Sequence, residues 1–86
     1  MTTLIVTHEV DDVGHWLRSS RREEVFGPLG LTIRTFVDPT DEHRVGLILE
    51  VPDVDAFNQF MQTPEAADAM KHDGVRPDTL VNLLEA

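Results

Sequence analysis

The chain contains no cysteine, which excludes disulfide frameworks, thiolate metal centres and cysteine nucleophiles together. Basic residues are scarce as well. Lys and Arg number 7 against 16 Asp and Glu, a formal net charge of −9, and such a surface repels phosphate backbones and anionic lipid headgroups. Neither nucleic acid nor a membrane is therefore an expected partner. No apolar run approaches the length of a bilayer span, and Met1-Thr2-Thr3 passes directly into a short apolar stretch without a basic leader. A cytoplasmic location is expected on that basis. His-x-His and His-Glu-x-x-His spacings are absent, and Gly27-Pro28-Leu29-Gly30 lacks the strand-to-helix context of a phosphate loop. No metal site, nucleotide or other cofactor is expected. With no repeat, linker or low-complexity segment, residues 1–86 are expected to form a single domain.

What is present is an alternation of four short apolar runs with two helical stretches, in the order strand, helix, strand, strand, helix, strand. The first strand is expected over Thr3–Glu9, with Leu4, Val6 and His8 on one face and Ile5, Thr7 and Glu9 on the other. Asp11 or Asp12 caps a first helix whose inward stripe begins Val13, Trp16, Leu17. Gly27, Pro28 and Gly30 force a loop, and Leu31–Val37 reads as the second strand. A polar connection, Asp38–His43, precedes a third strand in which Val45, Leu47 and Leu49 alternate with Gly46, Ile48 and Glu50. Asp53 caps a second helix with the stripe Val54, Phe57, Phe60, Met61. Thr63-Pro64 breaks it, because Thr63 before proline is biased away from helical geometry while Pro64 suits a first turn. A short continuation ends near His72 at the stop signal Gly74, and Thr79–Glu85 is the last strand.

Two helices cover only one face of a four-stranded sheet, yet these strands carry apolar residues on both faces. A chain of 86 residues is also close to the size at which one core gives marginal stability. Both considerations predict a homodimer formed by packing of the helix-free sheet faces.

Thr7-His8-Glu9-Val10-Asp11-Asp12-Val13 leading to Trp16, Asp38-Pro39 before Arg44-Val45, Glu50-Val51-Pro52-Asp53-Val54-Asp55-Ala56, and Thr63-Pro64-Glu65 followed by Ala69-Met70 together resemble small proteins of the dimeric α/β-barrel superfamily. That superfamily includes antibiotic biosynthesis monooxygenases, muconolactone isomerases, haem-degrading monooxygenases, polyketide cyclases and stress-related proteins. The resemblance covers nearly the whole chain. It implies an α+β, ferredoxin-like βαββαβ subunit with a four-stranded antiparallel sheet, paired in a dimeric α/β barrel. A small-molecule cavity between sheet and helices is implied too, but no single reaction. Haem-degrading members use an Asn in the first strand, a Trp on a strand and a His on a helix. Here the first strand has no Asn, Trp16 is on the first helix, and only His72 has a comparable helical place.

Helical steps of 100° from Val13, Trp16 and Leu17 bring Ser20 and Glu24 to the inward face, where large apolar side chains would be usual. In one reading, Ser20 leaves space and Glu24 joins His8 and Trp16 around a pocket. In the other, the helix bends or ends early, leaving Glu24 in solvent while Val25 and Phe26 fill the core. His8, on the face of Leu4 and Val6, is either an enclosed general base or a hydrogen-bonded core histidine. His15 and His43 are expected to be exposed. His72, beside Asp73, favours a helix C-terminus when protonated and is a secondary ligand-binding candidate. Asn82 either orients a ligand carbonyl or satisfies a backbone group. Arg34 either binds an anionic ligand or pairs with Glu50 or Glu9 across a subunit interface, and the carboxylates on those strand ends favour the pair. The cluster Arg18, Arg21, Arg22, Glu23, Glu24 reads as a solvated helical face.

Two function classes follow. The first is a binder of a small apolar or aromatic molecule, or a cofactor-independent oxygenase, isomerase or cyclase, with His8 and Glu24 catalytic and Trp16, Ser20, Asn82 and His72 binding ligand. The second is a non-catalytic dimeric accessory or stress-related module whose core is filled.

Overall fold

Period-two alternation produces four strands in the computed structural model, which describes residues 1–86. They are β1 (Thr2–Val10), β2 (Thr32–Val37), β3 (Arg44–Val51) and β4 (Val75–Leu84). All neighbours pair antiparallel, in the order β2-β3-β1-β4. The helices are α1 (Val13–Arg18), α2 (Arg21–Phe26), α3 (Val54–Met61) and α4 (Pro64–His72), with a 3₁₀ turn at Gly27–Leu29. The chain thus has the βαββαβ, α+β, ferredoxin-like layout, with each helical stretch divided in two. No helix is long and apolar enough to cross a membrane.

Capping chemistry fixes most of these boundaries. Asp12 accepts a hydrogen bond from the His15 amide and Asp53 one from the Ala56 amide, each satisfying a donor that the first helical turn leaves free. Thr63 does the same for the Ala66 amide, with Pro64 at the first helical position of α4. After α4, Gly74 takes the left-handed conformation (φ 72°) that side chains rarely adopt, and the chain turns into β4.

The core occupies the helix-bearing face of the sheet. Leu4, Val6 and Val10 of β1 and Val45, Leu47, Leu49 and Val51 of β3 are buried beneath Trp16 and Phe57. The register sets Leu4 against Leu49 and Val6 against Leu47. The opposite sheet face has no helix. Ile5, Phe36, Val81 and Leu83 are 43–57% exposed there in the single chain, with Ile5 opposite both Ile48 and Leu83. Within the chain, the Arg34 guanidinium lies 5.5 Å from the centre of the Phe36 ring.

Two local expectations are corrected. The first is the inward phase of Ser20: of the two readings of this helix the early end is the one observed, with α1 stopping at Arg18. Ser19 is extended (ψ 136°), its hydroxyl accepting from the Arg21 amide and donating to Asp73, so side-chain hydrogen bonds take the place of the helical ladder. The interruption changes the phase of everything after it. Arg22 and Val25 turn inward, whereas Ser20 and Glu24 are exposed and bonded to each other, Ser20 Oγ donating to Glu24 Oε1 at 2.9 Å. Leu17, expected in the stripe, is 47% exposed. The second correction is that β4 begins four residues before Thr79, at Val75, because the strand absorbs Pro77 in a bulge. His43 is also less free than expected. Its carbonyl accepts from the Val10 amide at 2.7 Å, and its Nδ1 lies 3.1 Å from the Val10 carbonyl oxygen.

Candidate functional site

His8 sits where the sheet is irregular. Thr7 pairs with Val81, but Glu9 pairs with Arg76, so the β1–β4 register shifts across His8. The interrupted ladder is repaired by Thr79, whose hydroxyl accepts from the Glu9 amide at 2.8 Å and donates to the Arg76 carbonyl at 2.6 Å. Arg76 braces the same segment through Glu9 and Asp11, both at 2.9 Å. Irregularities of this kind recur near functional sites, although the extra residues are on β4 and His8 keeps its regular register with Val45. Here the imidazole is 5% exposed, in contact with the core, and packs edge-on against Trp16 with ring centroids 5.7 Å apart.

His8 Nδ1 is 3.2 Å from the Glu9 carbonyl oxygen. Donation from Nδ1 leaves Nε2 as the basic nitrogen. Burial pushes the imidazole below its ordinary pKa of 6.5; the Glu9 carbonyl opposes that shift and the nearby Arg22 charge adds to it. His8 is consequently neutral at pH 7.

Arg22 is the residue that pattern reading placed in solvent. Its guanidinium lies 4.1 Å from the centre of the Trp16 ring, donates to the Trp16 carbonyl at 2.8 Å, and stands 3.6 Å from Asp73 Oδ2. The two side chains are 14% and 4% exposed, so this is an enclosed ion pair. Burial draws the Arg22 pKa down while Asp73 holds it up. Asp73 Oδ1 accepts from Ser19 Oγ and lies 3.1 Å from His72 Nδ1. The only available sequence signal for this pair was the Ser19-Ser20 dipeptide, which marks the helix break that rotates Arg22 inward.

These groups form the polar end of a cavity of about 80 Å³ between sheet and helices. Fourteen of its eighteen lining residues are hydrophobic, with Leu47 and Leu49 on the sheet side and Phe57, Phe60, Ala66 and Ala69 on the helical side. The cavity is an apolar space closed at one end by a neutral base and a buried ion pair.

Of the six site residues expected from sequence, His8, Trp16 and Asn82 line this cavity. Asn82 shares the core face with its neighbour Val6 and is exposed at the margin. Ser20 and Glu24 do not line it; both are at the surface, and Glu24 also faces Arg21 at 3.7 Å. His72 is 48% exposed and is not part of the lining. A macrocycle such as haem does not fit these residues, since His72 lies outside the cavity and the enclosed volume is far too small. Besides Arg22 and Asp73, sequence reasoning missed Ala69 and Met70 as cavity wall, having treated them only as helical apolar positions.

No protein-family model matches the chain, and no curated protein does. Solved structures do match it along its whole length. One is the crystal structure of an antibiotic biosynthesis monooxygenase, at 17% identity and TM-score 0.65, with 97% of that chain covered. A provisional antibiotic biosynthesis monooxygenase from Deinococcus radiodurans matches at 17% identity and TM-score 0.60, with 91% covered. A protein from Agrobacterium tumefaciens matches at 15% identity and TM-score 0.64, with 92% covered. At these identities the likeness establishes the shared fold, the one the sequence motifs implied.

Proposed function

We propose that the protein binds a small apolar or aromatic molecule in the cavity between sheet and helices and acts on it without a cofactor, by proton transfer at His8. The observation that carries this reading is the enclosed, neutral imidazole at the polar end of an otherwise apolar space. A neutral Nε2 can take an acidic O–H or C–H proton from a bound ligand. The anion left behind would form beside the Arg22 guanidinium, so the charge that appears on the ligand meets a fixed positive group in a site of low polarity. Such an anion is the common starting point for oxygenation by dioxygen, for isomerisation by reprotonation elsewhere, and for ring closure onto an internal carbonyl. Trp16 and Asn82 would position the ligand rather than react. The likeness to structures described as antibiotic biosynthesis monooxygenases is in keeping with a site of this kind.

Titration of Trp16 fluorescence with small phenols and hydroxylated polycyclic aromatics tests the proposal. Saturable quenching is expected in the parent, and His8→Gln should keep the quenching but lose ligand deprotonation, followed by the absorbance of the phenolate. An indole that responds to none of these compounds would leave a non-catalytic dimeric module as the better reading. The small volume of the cavity favours that second reading, because 80 Å³ is well under the roughly 300 Å³ at which drug-sized ligand sites begin. Binding then requires the walls to yield, α4 among them with Ala66, Ala69 and Met70.

A further inference from the structure

Asp73 is shared between two groups of residues, and only one of them belongs to the cavity. One carboxylate oxygen faces Arg22, and the other faces Ser19 and His72. His15 of α1 completes the second group from 57 positions away in the chain, its Nε2 lying 2.8 Å from the His72 carbonyl oxygen, with the two imidazole centroids 5.5 Å apart. One ligand atom from each of His15, His72 and Asp73 lies within 4.8 Å of the others.

We propose that His15, His72 and Asp73 form a binding site for a divalent transition-metal ion of the zinc type. The donor set decides the class of ion. Two imidazoles and a carboxylate suit borderline-soft ions such as Zn²⁺, whereas Mg²⁺ and Ca²⁺ take oxygen ligands. Bonds of about 2.0–2.2 Å to a tetrahedral ion place ligand atoms roughly 3.4 Å apart, which is reached from the present separations by rotation of the two histidine side chains. His72 is 48% exposed, so the ion can enter from solvent and water can take the fourth position.

The surroundings support the ligands. The His15 amide is fixed by the Asp12 cap at 3.0 Å, and the Asp73 amide donates to Ala69 O at 3.1 Å. Ser19 Oγ donates to the ligating carboxylate, the kind of outer contact that orients a metal ligand. A net charge of −9 attracts cations to the chain as a whole. On binding, His15 Nε2 gives up its contact with the His72 carbonyl and turns its lone pair to the ion, with the ring proton carried on Nδ1. Metal occupancy would join α1 to the end of α4 through Asp73 Oδ1 while Oδ2 stays with Arg22, linking this surface site to the polar end of the cavity. Local ligand spacing could not reveal the site, because its two histidines lie in different helical stretches.

Calorimetric titration of the full chain with zinc chloride near neutral pH tests this. One ion per chain is expected, together with a rise in the unfolding temperature. His15→Ala and His72→Ala should each weaken binding by about tenfold or more, while unfolding in chelator stays close to that of the parent. The absence of saturable uptake would overturn the proposal. So would undiminished uptake by the double variant His15→Ala/His72→Ala, which would place the ions on the acidic connection Asp38–His43 instead.

Discussion

The His8 imidazole stands edge-on to the Trp16 indole, with ring planes at 78° and centroids 5.7 Å apart, and Arg22 lies 4.1 Å from the centre of the same indole. Trp16 is 1% exposed. A neutral base and a cation thus share one aromatic neighbour inside the subunit, and neither can gain full hydration without moving it. This arrangement couples the protonation of His8 to the integrity of the core.

The coupling has a sign. His8 is held below its unfolded pKa of 6.5 chiefly by burial, so above that value both folded and unfolded states are neutral there and the residue costs nothing. As pH falls through the unfolded value, the unfolded chain takes up the proton and the folded one does not, and stability declines until the folded pKa is passed. The unfolding temperature should therefore fall as the pH drops below about 6.5, and His8→Gln should flatten that part of the profile. An unchanged profile in the variant would assign the pH dependence to other groups.

Arg22→Met removes the guanidinium but keeps most of the side-chain bulk. It leaves Asp73, 3% exposed, with only Ser19 and the partly exposed His72 to stabilise its charge. Breaking one side of an enclosed pair costs about 3 kcal/mol, which urea unfolding would measure. The double variant Arg22→Met/Asp73→Asn should recover part of the loss, because no uncompensated charge remains. Equal losses in the single and double variants would mean that Asp73 does not depend on Arg22.

The strands apart from the start of β4, a first cap at Asp11 or Asp12, the Asp53 cap, the Thr63-Pro64 break and the Gly74 stop were legible, because each is set by local chemistry: alternation, a side-chain acceptor, a missing amide proton, a left-handed turn. The polar end of the cavity was half legible. His8 and Trp16 followed from their faces, since β1 continues without interruption to His8 and α1 begins at a clear cap. The reading that put Ser20 and Glu24 inward carried a 100° phase across Ser19-Ser20, where the backbone is not helical, and the alternative of an early helix end with Glu24 in solvent is the one observed. One extended residue there reverses which side chains face the sheet. Asp73 was invisible for a different reason: its burial depends on Arg22 and Ser19 arriving from another part of the chain.

That correction changes the expected effect of altering the cavity. Ser20 is at the surface, so Ser20→Ala should change stability by no more than about 0.5 kcal/mol and leave ligand binding intact. Ala69 does line the space. Ala69→Leu should occupy it, holding stability within about 1.5 kcal/mol of the parent while abolishing the Trp16 response to aromatic ligands. Retained quenching in Ala69→Leu would move the ligand out of this cavity.

The helix-free face of the sheet gives the last prediction. Val81 and Leu83 on β4 are 51% and 57% exposed in the single chain, with Ile5 and Phe36 on the same face at 45% and 43%. Apolar side chains of this size, grouped on one sheet face, lose water only against another surface, and a second copy offers an identical one. Light scattering at micromolar concentration should report twice the chain mass. Val81→Asp then separates the alternatives, since the residue opposes Thr7 and supports little of the subunit's own core. In a monomer the change would cost no more than about 1 kcal/mol, the span of strand propensities. In the dimer it places two carboxylates in an apolar interface, so the variant should run at the mass of one chain and unfold at a lower, concentration-independent temperature. A parent that scatters as a single chain at every concentration would leave this face without a partner copy and remove the dimer from the proposal.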